Sequence, residues 1–242
     1  MRSARRARRV VGLAFLTWVL LVTLLLTAFG TSPSGRAVAR PVSVVRPLAP
    51  GPPRPQVIAL QGSLPLQLPV PQDRLTAVGY HAASGALPLE PLGRRANEGA
   101  LTRIVRKVFG GGGGARLRYF QLSGGEGPET AVLDVGAPAG TDVYSPVDGV
   151  IVGIDDFVLN GRRHGHRIEL QPAGAPSVVV SLTRLRRDPS LRVGSSVSGS
   201  TSKLGTLLDL SRVEEQALAR YTNDAGNHVS IEVHPAATLT LP

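Results

Sequence analysis

Residues 131–154 read AVLDVGAPAGTDVYSPVDGVIVGI, and this stretch decides the fold. Ala131–Val135, Val143–Ser145 and Gly149–Ile154 are short runs rich in β-branched and apolar side chains. Gly, Pro and Asp separate them, which is the pattern of strands joined by turns. Asp148-Gly149, after Pro146-Val147, reads as a tight turn between the second and third runs. Working outward, Leu117–Leu122 precedes this stretch. His166–Gln171, Ser177–Thr183, Lys203–Leu208 and His228–Val233 follow it as further strands. The exception is SRVEEQALARY, residues 211–221. Ser211 and Glu214 stand in capping-box spacing, and Val213, Ala217, Leu218 and Tyr221 line one helical face, so a short helix is expected there.

The order of six segments carries a resemblance. AVLDVGAPAGTDVYSPVDGVIVGI is followed by GHRIEL, SVVVSLTRL, VGSSV, KLGTLLDL and NHVSIEV. The series resembles the LytM (lysostaphin-type) peptidases over residues 126–236. Gly140–Pro146 followed by Asp148-Gly149-Val150, and the closing strand Asn227–Val233, are its most specific pieces. The resemblance implies an antiparallel β-sandwich or barrel-like domain with one or two short helices. It also implies descent from zinc enzymes that cut peptide bonds in peptidoglycan.

In that family two histidines and an aspartate hold zinc, and two further histidines assist the chemistry. Carried over position by position, the resemblance puts Thr130 where the first histidine ligand belongs, Asp134 at the aspartate and Ser230 at the last histidine. His228 falls on one catalytic histidine and Ser181 on the other. A hydroxyl is a poor zinc ligand beside an imidazole. The expectation is therefore a site without the family's zinc and without confident catalytic residues, in which Thr130, Asp134, Ser230, His228 and Ser181 are relic positions. Asp134, His228 and Glu232 are the candidates for a surviving cleft.

Three other histidines bear on that expectation. His164 and His166 flank Gly165 and share a face if the segment is extended, but no third ligand accompanies them. His234 lies six residues after His228, which puts the two about 20 Å apart along one strand. His81 lies outside the LytM-like region, and whether it folds back over the cleft is left open.

Arg2–Arg9 carry five arginines, and Val10–Phe29 then run for twenty residues without a charge. That length matches a bilayer and exceeds a usual secretory core, so residues 10–29 are expected to anchor the chain with residues 1–9 in the cytoplasm. A signal cleaved near Ala28–Gly30 or after Ala39 is the alternative. Ten of the twenty prolines fall in residues 31–72, and residues 30–72 read as a semi-rigid linker. Residues 73–115 form an accessory segment. It carries a short helix marked by Leu101, Ile104, Val105 and Val108, then five glycines, Gly110–Gly114. The LytM-like domain occupies 116–242.

The net charge of +10 is misleading as a nucleic-acid signal. Nine arginines and no acidic residue lie in 1–54, and subtracting nine from +10 leaves +1 for the rest. No basic stripe remains for phosphates, and no nucleic-acid partner is expected. With no cysteine, thiolate metal sites and disulfides are excluded. Three functions are in view: a non-catalytic module of the bacterial envelope that binds peptidoglycan or a wall hydrolase, with no cofactor; a zinc endopeptidase with a rearranged site; and an export-system adaptor, since Ser145–Val150 also resembles the hairpins of barrel-sandwich domains.

Overall fold

The structure is a computed structural model and describes residues 51–97 and 117–236. The chain is mainly β. Strands β1 (Val57–Gln61) and β2 (Leu64–Gln67) form a hairpin, and β4 (Glu90–Pro91) pairs with β1 to complete a three-stranded sheet. The larger sheet has eleven strands. It contains β3 (Ala77–His81), β5 (Arg94–Arg95), β6 (Arg118–Gln121), β7 (Val132–Gly136) and β8 (Asp142–Tyr144). It continues with β9 (Gly149–Leu159), β10 (Arg162–Pro172), β11 (Val178–Arg187), β12 (Ser196–Val197), β13 (Lys203–Leu207) and β14 (His228–Pro235). The main path runs β12-β9-β10-β11-β14-β7-β3-β6-β5, with β13 bridging β11 and β8. It stays open from β12 to β5, so the barrel-like expectation gives way to packed sheets. Pairing is antiparallel except where β6 lies parallel to β3 and β5.

The eight expected strands all form. Two local expectations do not hold. Asp148-Gly149 is not a hairpin turn, because β8 pairs with β13 while β9 pairs with β10 and β12. The Asp148 carboxylate instead accepts from the Gly199 amide at 2.7 Å, which pins the 198–202 loop. This removes the hairpin on which the export-adaptor reading rested. The second concerns residues 211–221, which make turns and a single 3-10 helix, Ala217–Arg220. Ser211 gives both its hydroxyl and its amide to Asp209 Oδ1, at 2.6 and 3.1 Å, and Glu214 is drawn to Arg184. Neither half of the capping box is therefore available to start an α-helix. The expected helices at 10–29 and around 101–108 lie outside the described residues, and among the described residues no helix is long and apolar enough to cross a membrane.

The largest correction concerns the linker. From Val57 the chain is not a spacer. Ile58, Ala59, Leu64, Leu66, Leu68 and Val70 are buried in one cluster with Leu133, Val135, Ile151, Ile168, Val180, Leu182 and Ile231 of the large sheet. The small sheet thus covers one face of the large one, giving the sandwich. Backbone bonds from Gln67 N to Pro146 O (2.9 Å) and from Tyr144 N to Pro69 O (2.7 Å) stitch the two together. The buried Tyr80 hydroxyl donates to Ile58 O at 3.2 Å, and burial pushes its phenol well up. Prolines remain compatible because Pro65, within β2, points outward, and Pro69 and Pro71 lie beyond the end of that strand.

Candidate functional site

Strand alternation builds the site. On β14, Val229, Ile231 and Val233 join the core, so His228, Ser230, Glu232 and His234 face the other way. On β7, Leu133 and Val135 point inward and Asp134 outward. On β3, Val78 and Tyr80 point inward, leaving Ala77, Gly79 and His81 on the outer face. Register does the rest. Ser230 lies opposite Asp134 on one side, and Gly79 lies opposite it on the other. His81, one pleat beyond Gly79, reaches Asp134 diagonally.

Asp134 is the centre of the group and is 2% exposed. The Ser230 hydroxyl donates to its Oδ1 at 2.7 Å. His228 Nε2 stands 3.5 Å from the same oxygen, and His81 Nε2 stands 3.4 Å from Oδ2. The far side of each ring is anchored in the same way. His228 Nδ1 lies 2.9 Å from Gly226 O, and His81 Nδ1 lies 3.0 Å from Ala82 O. A carbonyl only accepts, so each Nδ1 carries a proton and donates it. The three side chains line a cavity of about 310 Å³ with Leu122, Gly125, Arg184 and Glu214. Glu214 forms an ion pair with Arg184, whose guanidinium also donates to Gln216 Oε1 at 3.2 Å. The cavity wall is thereby fixed.

A second cavity, of about 360 Å³, opens farther along the same face and is lined by Ser84, Arg167, Glu169, Ser181, Glu232 and His234. Glu232 and Ser181 stand cross-strand from one another. This separates them from Asp134: the β11 residue opposite Ser230 is Thr183, not Ser181. The expected relic position Ser181 and cleft candidate Glu232 thus belong to a different pocket from Asp134 and His228. His234 Nε2 lies 3.0 Å from Glu232 Oε2, and its Nδ1 lies 3.1 Å from Gly85 O. Both ring nitrogens face acceptors, so both bonds are made only by the protonated ring.

This pair has a definite pH signature. The hydrogen bond to Glu232 pushes His234 up against the opposing effect of burial, and the bond from His234 holds Glu232 below the usual carboxylate range. Arg167 lowers both, and His81 adds to the lowering of Glu232. The His234 contribution is complete below its ordinary value of 6.5 and is lost as pH rises through the raised folded value. The Glu232 contribution is complete above 4.5 and is lost as pH falls through the lowered folded value. The pair therefore stabilises most between those two values. Thermal unfolding of His234→Ala across the acid-to-neutral range should show the difference from wild type largest in that window and shrinking on both sides.

His164 and His166 do not join either cavity. A β-bulge between Arg163 and Gly165 breaks the simple period-two relation expected for them. His166 Nδ1 accepts from the Arg187 amide at 3.5 Å, and burial, then the charges of Arg187 and Arg163, lower its proton affinity.

No family model matches the chain, and no curated protein matches it. Solved structures do. One is Csd3 of Helicobacter pylori, 16% identical over 47% of this chain and 25% of that one, with a TM-score of 0.31. Another is lysostaphin, 15% identical over 46% of this chain and 38% of that one, with a TM-score of 0.33. A third is pseudoalterin, an M23 metalloprotease from the deep sea, 13% identical over 72% of each chain, with a TM-score of 0.36. The similarity is to LytM/M23-type domains. The chain spans a quarter of the length of Csd3 and little more than a third of lysostaphin.

The LytM-type zinc site can be tested against the residues standing in its place. The three positions that the sequence resemblance assigns to it hold a carboxylate and two hydroxyls. The Thr130 hydroxyl donates to Leu89 O at 2.7 Å, and the Ser230 hydroxyl donates to Asp134 itself. Both are already engaged, and neither is an imidazole. This donor set does not fit zinc in the LytM-type manner. His81, which no LytM-like motif contains, is the residue that sequence reasoning left open and that the fold brings to Asp134.

Proposed function

We propose that the chain is a LytM-like module of the bacterial envelope, anchored through residues 10–29. Its outer domain binds peptidoglycan or a wall hydrolase and does not cut peptide bonds in the LytM manner. One observation carries this reading: Thr130 and Ser230, which the resemblance sets at two zinc-ligand positions, are tied into hydrogen bonds of their own. An outer sheet face lined by polar side chains and two cavities remains free to bind peptide or glycan. The test is to incubate the full chain, in detergent, with purified cell-wall sacculi. Cosedimentation without release of soluble fragments is expected. Release of peptide fragments, or failure to bind both sacculi and envelope hydrolases, would overturn it.

A second reading, a zinc endopeptidase with a rearranged site, is favoured by the arrival of His81 beside Asp134. It predicts fragment release that disappears in Asp134→Ala, and the same assay separates the two readings.

A further inference from the structure

We propose that the second cavity binds an α-amino-acid head group, a carboxylate and an ammonium on one carbon, with Arg167 and Ser181 at the carboxylate and Glu169 at the ammonium. The proposal goes beyond the envelope-module reading and concerns a different pocket from the one around Asp134.

Strand register builds the cavity. Glu169 on β10, Ser181 on β11 and Glu232 on β14 form one cross-strand row. Neighbouring strands lie about 4.8 Å apart, so the two glutamates rise from backbones roughly 10 Å apart with only a short side chain between them. The resulting space of about 360 Å³ is of the size that holds small molecules. Arg167 joins it from two residues earlier on β10, and His234 from two residues later on β14.

Glu232 already has its cation. His234 stands 3.0 Å from it and is held from behind by Gly85 O. Three other groups are left over. Among the described residues, the side chains of Ser181, Arg167 and Glu169 make neither a hydrogen bond nor an ion pair. Ser181 is 5% exposed and lies on the sheet face away from the core, where it lines the cavity. A buried hydroxyl costs free energy until something bonds it. Arg167 and Glu169 carry opposite charges and start about 6.6 Å apart along one strand, yet they do not pair. The neighbouring strand explains this. Glu169 lies opposite Gly153 on β9, and a Cβ there would stand 2.7 Å from Glu169 Oε2, so the carboxylate rests over the bare glycine. Burial and then Asp155 push its proton affinity up, and Arg167 and His234 offset this only in part. That is the condition of a carboxylate short of a cation.

A guanidinium fork with a hydroxyl, beside an unneutralised carboxylate, selects a ligand carrying both charges. A bare anion would add negative charge beside Glu169. A bare cation would add positive charge beside Arg167. A carboxylate and an ammonium on one carbon satisfy both groups at once. Val179, 1% exposed, gives an apolar wall for a small substituent on that carbon.

Alanine is the probe, and the side-chain nitrogen signals of His234 in the full chain, in detergent, are the readout. Alanine should shift the His234 ring saturably and leave His164 unmoved. N-acetylalanine, which lacks the ammonium, and alaninamide, which lacks the carboxylate, should each need at least about tenfold more ligand for the same shift, since hydrogen bonds to charged groups are the strong ones. Arg167→Gln and Glu169→Gln should each weaken alanine binding by at least about tenfold, while Arg162→Gln, exposed on the same strand, binds as wild type does. Glu169→Gln removes a charge that has no partner, so it should melt no lower than wild type, which separates lost binding from lost folding. A His234 ring that ignores alanine, or that responds equally to N-acetylalanine or alaninamide, would overturn the site and leave the sacculus-binding reading standing. Acetylating the free amines of sacculi identifies the source of the head group. Weaker sacculus binding places it on the wall, and unchanged binding makes a free amino acid the ligand.

Discussion

Ile58→Ala and Leu66→Ala are each expected to lower the stability of the folded chain by about 2–5 kcal/mol. Both side chains are fully buried, with 0% exposure, in the cluster shared with β7, β9, β10, β11 and β14. Truncation removes transfer free energy and leaves a cavity in a core whose sheets are locked by β pairing and cannot collapse to fill it. Folded chains of ordinary stability have about 5–15 kcal/mol in hand. The double variant therefore approaches complete unfolding, and a fragment beginning at residue 72 lacks β1 and β2, two of the three strands of the covering sheet. Val57→Ala, in the same strand but 40% exposed, is the control and should shift stability by less than about 0.5 kcal/mol. Urea midpoints at unchanged slope provide the measurement. If residues 57–70 were the spacer that their prolines suggest, all three variants would unfold at the wild-type midpoint.

That contrast shows where the sequence misleads. Proline density at 47–55 continues into 65–71, and composition alone does not mark the change from spacer to strand. The alternation in LPLQL does mark it: Leu64, Leu66 and Leu68 are buried and Pro65 and Gln67 are not. The strands of residues 117–236 were legible because each is a separate β-branched run bounded by turn residues. The tight hairpin lies at a place that the strand reading passed over. Asn160-Gly161, with φ of 52° and 72°, joins Leu159 to Arg162 as a two-residue turn, the strongest short hairpin signal there is. Asp148-Gly149 carries the same composition without paired flanking strands. At the site, the motif resemblance brought Asp134, His228 and Ser230 together, although β14 lies beside β7 from the far end of the domain's sequence. His81 was not legible. Its approach depends on β3 pairing with β7 across a long sequence separation, and on Gly79 leaving room beside Asp134 for Leu122 and Leu218. No local pattern encodes either condition.

Gly125→Ala is expected to destabilise the chain by about 2–4 kcal/mol and to loosen His81. Gly125 has φ of +83°, a conformation that costs an L-residue roughly 1–2 kcal/mol. A Cβ at this position would also be driven into the Ala82 carbonyl oxygen. That oxygen is the acceptor that fixes the His81 ring through Nδ1 at 3.0 Å. The clash is backbone against backbone, so no side-chain rotamer relieves it; either the 123–127 turn or the Ala82 peptide must move. Gly124→Ala is the matched control, with φ of +115° and open space where its Cβ would lie. It carries conformational strain without the collision. Two readouts separate the effects. Urea unfolding should place Gly125→Ala below Gly124→Ala, and side-chain nitrogen spectra of the five histidines should show the His81 ring displaced in Gly125→Ala alone. With the ring released from Ala82, its Nε2 no longer holds a fixed direction toward Asp134. Equal stabilities for the two variants, with the His81 resonances unmoved in both, would mean that Ala82 does not position the ring.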